Sequence, residues 1–351
     1  MNVNTYPSLA VALWPAQDAA LWLAAKEAGD PLEKPGVASQ WSPATVRMTE
    51  SGYGSFLSWQ LVRGQLDTDR RPIDRISQET VRAFIKDYEV GRAELTVAAA
   101  VRGVAYVFRA THPPHGIPWL TKLAHYMSNT AKPSKSKVDR MASVPELLDL
   151  ADKLMKAGRS KFEDGRRSGG QTYRDGLMIA MLANRPLRVR NFAALKIGQA
   201  LTWDAKNFHV VFSGAGETKK GNIIEFDLPR ALIAPMRWYL DEARPILRER
   251  AKLPDDDLLW VGRRGTSMDG HEIFQRITTV TKRHLGRSVN PHLFRDCVAT
   301  TVAIHDSRHV GIVTHVLGHT HASSKKFYVQ ATSFHAARRH RAVIAQLRGD
   351  P

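Results

Sequence analysis

Residues 290–304 read NPHLFRDCVATTVAI. Beyond Pro291 the stretch turns apolar, the pattern of a helix packed inside a domain, and its early turns carry His292 and Arg295. Polar groups at the start of an otherwise buried helix face a cleft. The H-x-x-R pattern alone is weak, because the chain repeats it at His284–Arg287, His305–Arg308 and His335–Arg338. Those three lie in basic, polar stretches, so only the 292–295 pair joins the pattern to a buried setting. The single cysteine, Cys297, falls in the apolar part. It reads as a small core residue, cannot form an internal disulfide, and fits a reducing compartment.

Working outward, residues 317–328 read LGHTHASSKKFY. Gly318 suits the position just past a helix end, His319 follows it, and Ser323 or Ser324 can cap a short helix carrying Tyr328. Upstream, NRPLRVRNFAALKIG (184–198) sets Arg188 directly before a helix. Between them, HVVFSG and NIIEFDLP have strand patterning and are joined by the basic loop AGETKKG, with Lys219 and Lys220. Taken singly, each has an ordinary reading: a half-buried tyrosine with a wet hydroxyl, a helix-end histidine, a surface arginine, a solvated lysine. Together, Arg188, Lys219, His292, Arg295, His319 and Tyr328 form a kit for gripping a phosphodiester and attacking it with a phenol.

The rest of the chain is mostly helical in pattern. Residues 1–40 form an extension with one Ala-rich helical run, AQDAALWLAAKEA, that ends at Gly29. Residues 41–130 carry four or five helices. Ser42 precedes Pro43 as an N-cap, Ser77 caps the run beginning QETVRAF with Glu79 close to the capping-box position, and two further apolar-periodic runs follow. Residues 131–143 are polar, basic and proline-containing, which is linker composition. Residues 144–351 form the second domain, opened by a helix capped at Ser143 with Pro145 and Glu146 in its first turn. YRDGLMIAMLA and RNFAALKIGQAL read as further helices, then the two strands, then helices to the end. The expected fold class is mainly α with a small antiparallel sheet in the C-terminal domain.

Lys and Arg number 51 against 34 Asp and Glu, a formal net charge of +17. A field of that sign attracts polyanions, and nucleic acid is the leading partner. No apolar run is long enough to span a membrane, and the N-terminus lacks a basic segment before its apolar stretch, so neither a membrane anchor nor a signal peptide is expected. The H-x-x-x-H pairs His305/His309 and His315/His319 have spacing for a shared helix face. No H-E-x-x-H, cysteine pair or carboxylate cluster completes a zinc site, and no P-loop occurs.

In that order and at those separations, the segments resemble the tyrosine recombinases, or phage integrase family. PLRVRNFAAL is similar to the family's first-arginine box, pointing to Arg188. ETKKGNIIEFDLP is similar to its β-hairpin lysine segment, pointing to Lys219, with Lys220 the weaker candidate. HLFR at 292–295 is similar to the second box, and LGHTHASSKKFY to the third, with Tyr328 nine residues after His319. Residues 41–130 resemble the core-binding domain. The resemblance covers roughly residues 41–340 and implies a two-domain clamp on double-stranded recombination sites, four protomers assembling on two sites, and a cytoplasmic protein on DNA. It departs at Asn191, where the family commonly has an acidic residue three positions after the first arginine. An amide there hydrogen-bonds but brings no charge.

The implied reaction suits these residue types. Arginine stays charged and its planar fork binds two oxygens at once, so Arg188 and Arg295 can grip both non-bridging oxygens, with His292 and His319 as further donors. Losing one preorganised donor costs about 10²–10³ in rate in acyl-transfer enzymes, and a comparable order is expected here. The phenol of Tyr328, with an ordinary pKa of about 10, needs help to ionise, from the cations and from His292 as base. Lys219 is the candidate acid for the leaving 5′-oxygen. The expectation is a 3′-phosphotyrosyl intermediate that needs no ATP, metal or other cofactor. Two other readings use the same residues or none of them: type IB topoisomerase-like relaxation, and a catalytically silent DNA-binding protein. The stretch SFHAARRHRAVIAQLR after the tyrosine reads as an amphipathic helix that docks either on a neighbouring protomer or on its own domain.

Overall fold

The computed structural model describes residues 6–30, 34–114, 116–133, 137–213, 223–251 and 254–305. The chain divides into two compact units, residues 1–135 and 136–351.

In the first unit the helices are α1 (Ala16–Ala24), α2 (Pro43–Val62), α3 (Gln78–Tyr88), α4 (Glu94–Thr111) and α5 (Pro118–Thr130). The caps follow the sequence. Ser42 Oγ accepts from Thr45 N at 3.2 Å with Pro43 at the first helical position, and Ser77 Oγ accepts from Thr80 N at 3.1 Å. Glu79 sits one place short of a reciprocal box. The core is aromatic, with Tyr53, Phe56, Trp59, Phe84 and Phe108 all buried. Trp14 and Trp22, from the first forty residues, belong to that same core. Asp18 on α1 is buried too. Its carboxylate accepts from the Tyr53 hydroxyl at 2.5 Å and from Arg75, so a charge out of water keeps its partners. Helices α2 and α4 cross with backbones touching: a Cβ on Gly52 would stand 2.8 Å from Gly103 Cα.

The second unit begins with a 3-10 turn (Val138–Arg140) and continues as α6 (Val144–Glu163), α7 (Ser168–Asn184) and α8 (Val189–Ala193). Ser143 and Glu146 form a reciprocal capping box at the start of α6. Next come β1 (Leu201–Trp203), β2 (Phe208–Phe212) and β3 (Ile224–Asp227), an antiparallel sheet in the order β1-β2-β3. Val210 pairs with Leu201 on one side and Phe226 on the other. Along β2, Phe208, Val210 and Phe212 face inward, the period-2 alternation of a sheet with one buried face. A helical rod follows, made of α9 (Arg230–Trp238), a π turn (Tyr239–Ala243) and α10 (Arg244–Arg248), then α11 (Gly270–Leu285) and α12 (Pro291–His305). The core joins Leu177, Ile179 and Leu182 of α7 to Phe192, Trp260, Ile277 and Phe294.

One expected helix is mostly absent. RNFAALKIGQAL is helical only as far as Ala193. Its later backbone groups bond elsewhere: Leu259 N donates to Leu195 O, Ile197 N donates to Asp257 O, and Gly198 turns the chain with φ 75° into β1. Tertiary pairing overrides the local apolar pattern here.

Candidate active site

Arg188 is placed by two buried neighbours in sequence. Leu187 and Phe192 are both in the core, and Trp260 Nε1 donates to Phe192 O at 3.1 Å, so α8 is pinned to the centre of the unit. Arg188 is the N-cap of α8 in extended conformation, and its own carbonyl accepts from Phe192 N at 2.9 Å. The guanidinium side chain is half-buried.

Helix α12 supplies the second arginine. Asn290 Oδ1 accepts from Leu293 N at 2.9 Å, and Pro291 opens the helix. Leu293, Phe294, Cys297 and Ala299 are buried, whereas His292, at the helix start, keeps part of its surface in solvent and part against the protein. Arg295 is 5% exposed, and its Nη1 donates to Pro186 O at 2.7 Å. That bond fastens α12 to the turn carrying Arg188, so two boxes far apart in sequence share one place. Burial, with the Arg188 charge behind it, pulls the Arg295 pKa down to about 10. It stays protonated at neutral pH. Two like charges that act on one another favour an anion between or beside them.

His292 is shifted downward, first by desolvation and then by Lys137, Arg295 and Arg188, against the opposing pull of Asp296. The imidazole is therefore mainly neutral at pH 7, a form that both donates and accepts. Asn191 is buried, at 2% exposure. Among the described residues, the carboxylate brought to this place is Asp296, next to Arg295, with Lys137 Nζ 3.2 Å from its Oδ2.

Arg188, His292 and Arg295 thus come together. Lys219, Lys220, His319 and Tyr328 lie outside the described residues, as do His309, His315 and the side chain of His305. Sequence reasoning missed three neighbours. Arg185 lies over the Phe226 ring of β3, 5.0 Å from its centroid, and its charge acts on Arg295. Asp296 offered one signal, a carboxylate inside an apolar run beside the candidate arginine. Lys137 offered none. The competing motif His284–Arg287 is structural in its arginine half: Arg287 donates to Met141 O at 2.7 Å and to Glu146 Oε1 at 2.6 Å, tying the end of α11 to the α6 cap. Cys297 is buried and its thiol is pushed up to about 12, chiefly by desolvation, so it is protonated and inert at neutral pH.

A family model described as the phage integrase family matches residues 150–335, more than half of the chain. The chain belongs to the phage integrase family and is a tyrosine-type site-specific recombinase. Among solved structures, the fold is similar to that of the XerH site-specific recombinase bound to difH substrate in a pre-cleavage complex. The identity is 16%, the TM-score 0.54, and the match covers 84% of this chain and 79% of that one. It is also similar to a lambda integrase dimer bound to a COC′ core site, at 15% identity and TM-score 0.54, covering 93% of this chain and 79% of that one. No curated protein matches the chain in sequence. Among the described residues no helix is long and apolar enough to cross a membrane.

Proposed function

We propose that this chain cuts and rejoins double-stranded DNA at specific sites through a 3′-phosphotyrosyl intermediate, with Tyr328 as nucleophile. The observation that carries the reading is the Arg295–Pro186 bond, which sets the second-box arginine against the turn of the first at 2.7 Å. Arg188 and Arg295 bind the two non-bridging oxygens and stabilise the charge that grows there in the transition state. The Tyr328 oxygen bonds to phosphorus as the bond from phosphorus to the 5′-oxygen breaks. The phenolic proton passes to neutral His292, and Lys219 gives a proton to the departing 5′-oxygen. His319 donates to the phosphoryl oxygens. A second 5′-hydroxyl then attacks the tyrosyl ester in the reverse of these steps, so the bond free energy is kept and no nucleotide is hydrolysed.

DNA as partner is supported by the family, by the net charge of +17, and by the DNA sites held by the XerH and lambda integrase neighbours. Assembly of four protomers on two sites, and the two units closing on DNA, belong to the same proposal. The test is a nicked suicide duplex cut from the DNA that flanks the protein's own gene. The chain is expected to form a covalent adduct that survives denaturant, and Tyr328→Phe is expected to form none. Adduct persisting in Tyr328→Phe would remove the assigned nucleophile. Relaxation of a plasmid that carries no paired site would point to topoisomerase activity instead.

A further inference from the structure

We propose that Lys137 is a further phosphate ligand of this site, held beside His292 by its ion pair with Asp296. The inference rests on the phosphodiester reading above and adds to it a residue that none of the sequence boxes contains.

The placement of Asp296, the exposure of the two side chains, their ion pair and the neighbouring charges carry it. Asp296 stands four residues after His292 on α12, one helical turn along the same face, and immediately after Arg295. Its side chain is 11% exposed, so it is an anchor fixed in the protein, while the Lys137 side chain is 39% exposed and can reach a ligand without leaving its place. The ion pair at 3.2 Å brings together residues 159 positions apart. The Lys137 charge acts on His292 alongside those of Arg295 and Arg188, which puts the ammonium in the same neighbourhood as the two arginines. Arg185 acts there too, through Arg295.

The charge balance gives the reason. Four cations, Arg185, Arg188, Arg295 and Lys137, stand near one carboxylate, Asp296, among the described residues that act on His292 and Arg295. One carboxylate leaves that cluster strongly positive. A nucleic-acid strand brings a negative charge at every phosphate, so the strand that places one phosphate between the arginines delivers neighbours on either side. Lysine suits such a flanking position, being a compact point charge with rotatable donors and no need for the two-pronged geometry of arginine. Asp296 keeps the long side chain in the site before DNA arrives, which lowers the ordering cost of the contact.

The experiment uses the full chain carrying Tyr328→Phe, so that binding is read apart from cleavage, with a mixed-sequence duplex as probe. Affinity is measured across a salt series. Losing one phosphate contact flattens the slope of log K against log salt by about 0.9. Lys137→Gln is expected to show that change and Lys137→Arg to restore the original slope. In the same variants the His292 ring is followed by NMR titration, and Lys137→Gln is expected to raise its pKa by removing a neighbouring cation. An unchanged slope in Lys137→Gln, with or without a lower melting temperature, would mean that the ion pair only ties the chain together and would overturn the proposal. A flattened slope with an unmoved His292 would place the contact elsewhere and overturn it too. Wild-type protein that binds DNA but forms no adduct would count against the phosphotyrosyl reading and leave the Lys137 result standing on its own.

Discussion

His292 is the residue where local environment bears most directly on chemistry. Desolvation comes first and, with three cations, outweighs the opposing pull of Asp296, so the pKa lies below the ordinary value of about 6.5. In the proposed mechanism His292 is the base, and a base must be unprotonated to accept a proton, so the lowered pKa keeps that form available at neutral pH and somewhat below it. Acidification converts it to imidazolium and stops the transfer. Adduct formation on a nicked duplex is therefore expected to rise with pH through an inflection below about 6.5. In His292→Gln that inflection should vanish while a slower, flat rate remains. A profile identical in the two proteins would show that another group takes the phenolic proton. The residue scale is also where the sequence served best. His292 and Arg295 stood out because a basic patch opens an otherwise apolar helix. Lys137 did not, because a lysine in a polar, basic segment looks solvated until the fold brings Asp296 to it across 159 positions.

At the scale of elements, α6 and α7 pack so closely that small residues are required on specific turns. A Cβ on Gly158 of α6 would lie 2.4 Å from Tyr173 N, and one on Gly176 of α7 would lie 2.7 Å from Ala151 O. These are backbone atoms and cannot swing aside. Gly170, also on α7, meets only side-chain carbons of Ala243 and Leu247 at 3.5 Å and beyond, which is ordinary contact. Gly158→Ala is thus expected to destabilise the chain by about 1–3 kcal/mol or more through overpacking. Gly170→Ala should be neutral or stabilising by up to about 1 kcal/mol, since alanine is the better helix former. Urea unfolding of the two variants checks the contrast, and equal effects would contradict the assigned helix contact. Sequence pattern found these helices through caps and apolar spacing, and it found β2 and β3 through strand composition between turns. It did not find β1 or the early end of α8. Ile197 and Leu201 are spaced for one helical face, and pairings that no local window contains, Leu195 and Ile197 with residues 257–259 and Leu201 with Val210, draw the segment out of a helix.

At the scale of the molecule, each unit buries its own apolar cluster. One is centred on the aromatic residues of α2 to α4, the other on α7, Trp260 and Phe294. A chain segment with its own core and satisfied caps can fold alone. All six candidate site residues, together with Arg185, Asp296 and Lys137, lie in the unit spanning residues 136–351. If the chemistry belongs to that unit and the other mainly adds grip on DNA, separating them divides rate from affinity. The fragment 136–351 is expected to form the covalent adduct on a nicked duplex, at DNA concentrations higher than the whole chain needs. Its salt dependence should be shallower, because the phosphate contacts made by the first unit are gone. Circular dichroism and a cooperative melt establish that the fragment is folded before its activity is read. A folded fragment that yields no adduct at saturating DNA would mean that residues 1–135 take part in assembling the site, and the six-residue description of the chemistry would then be incomplete.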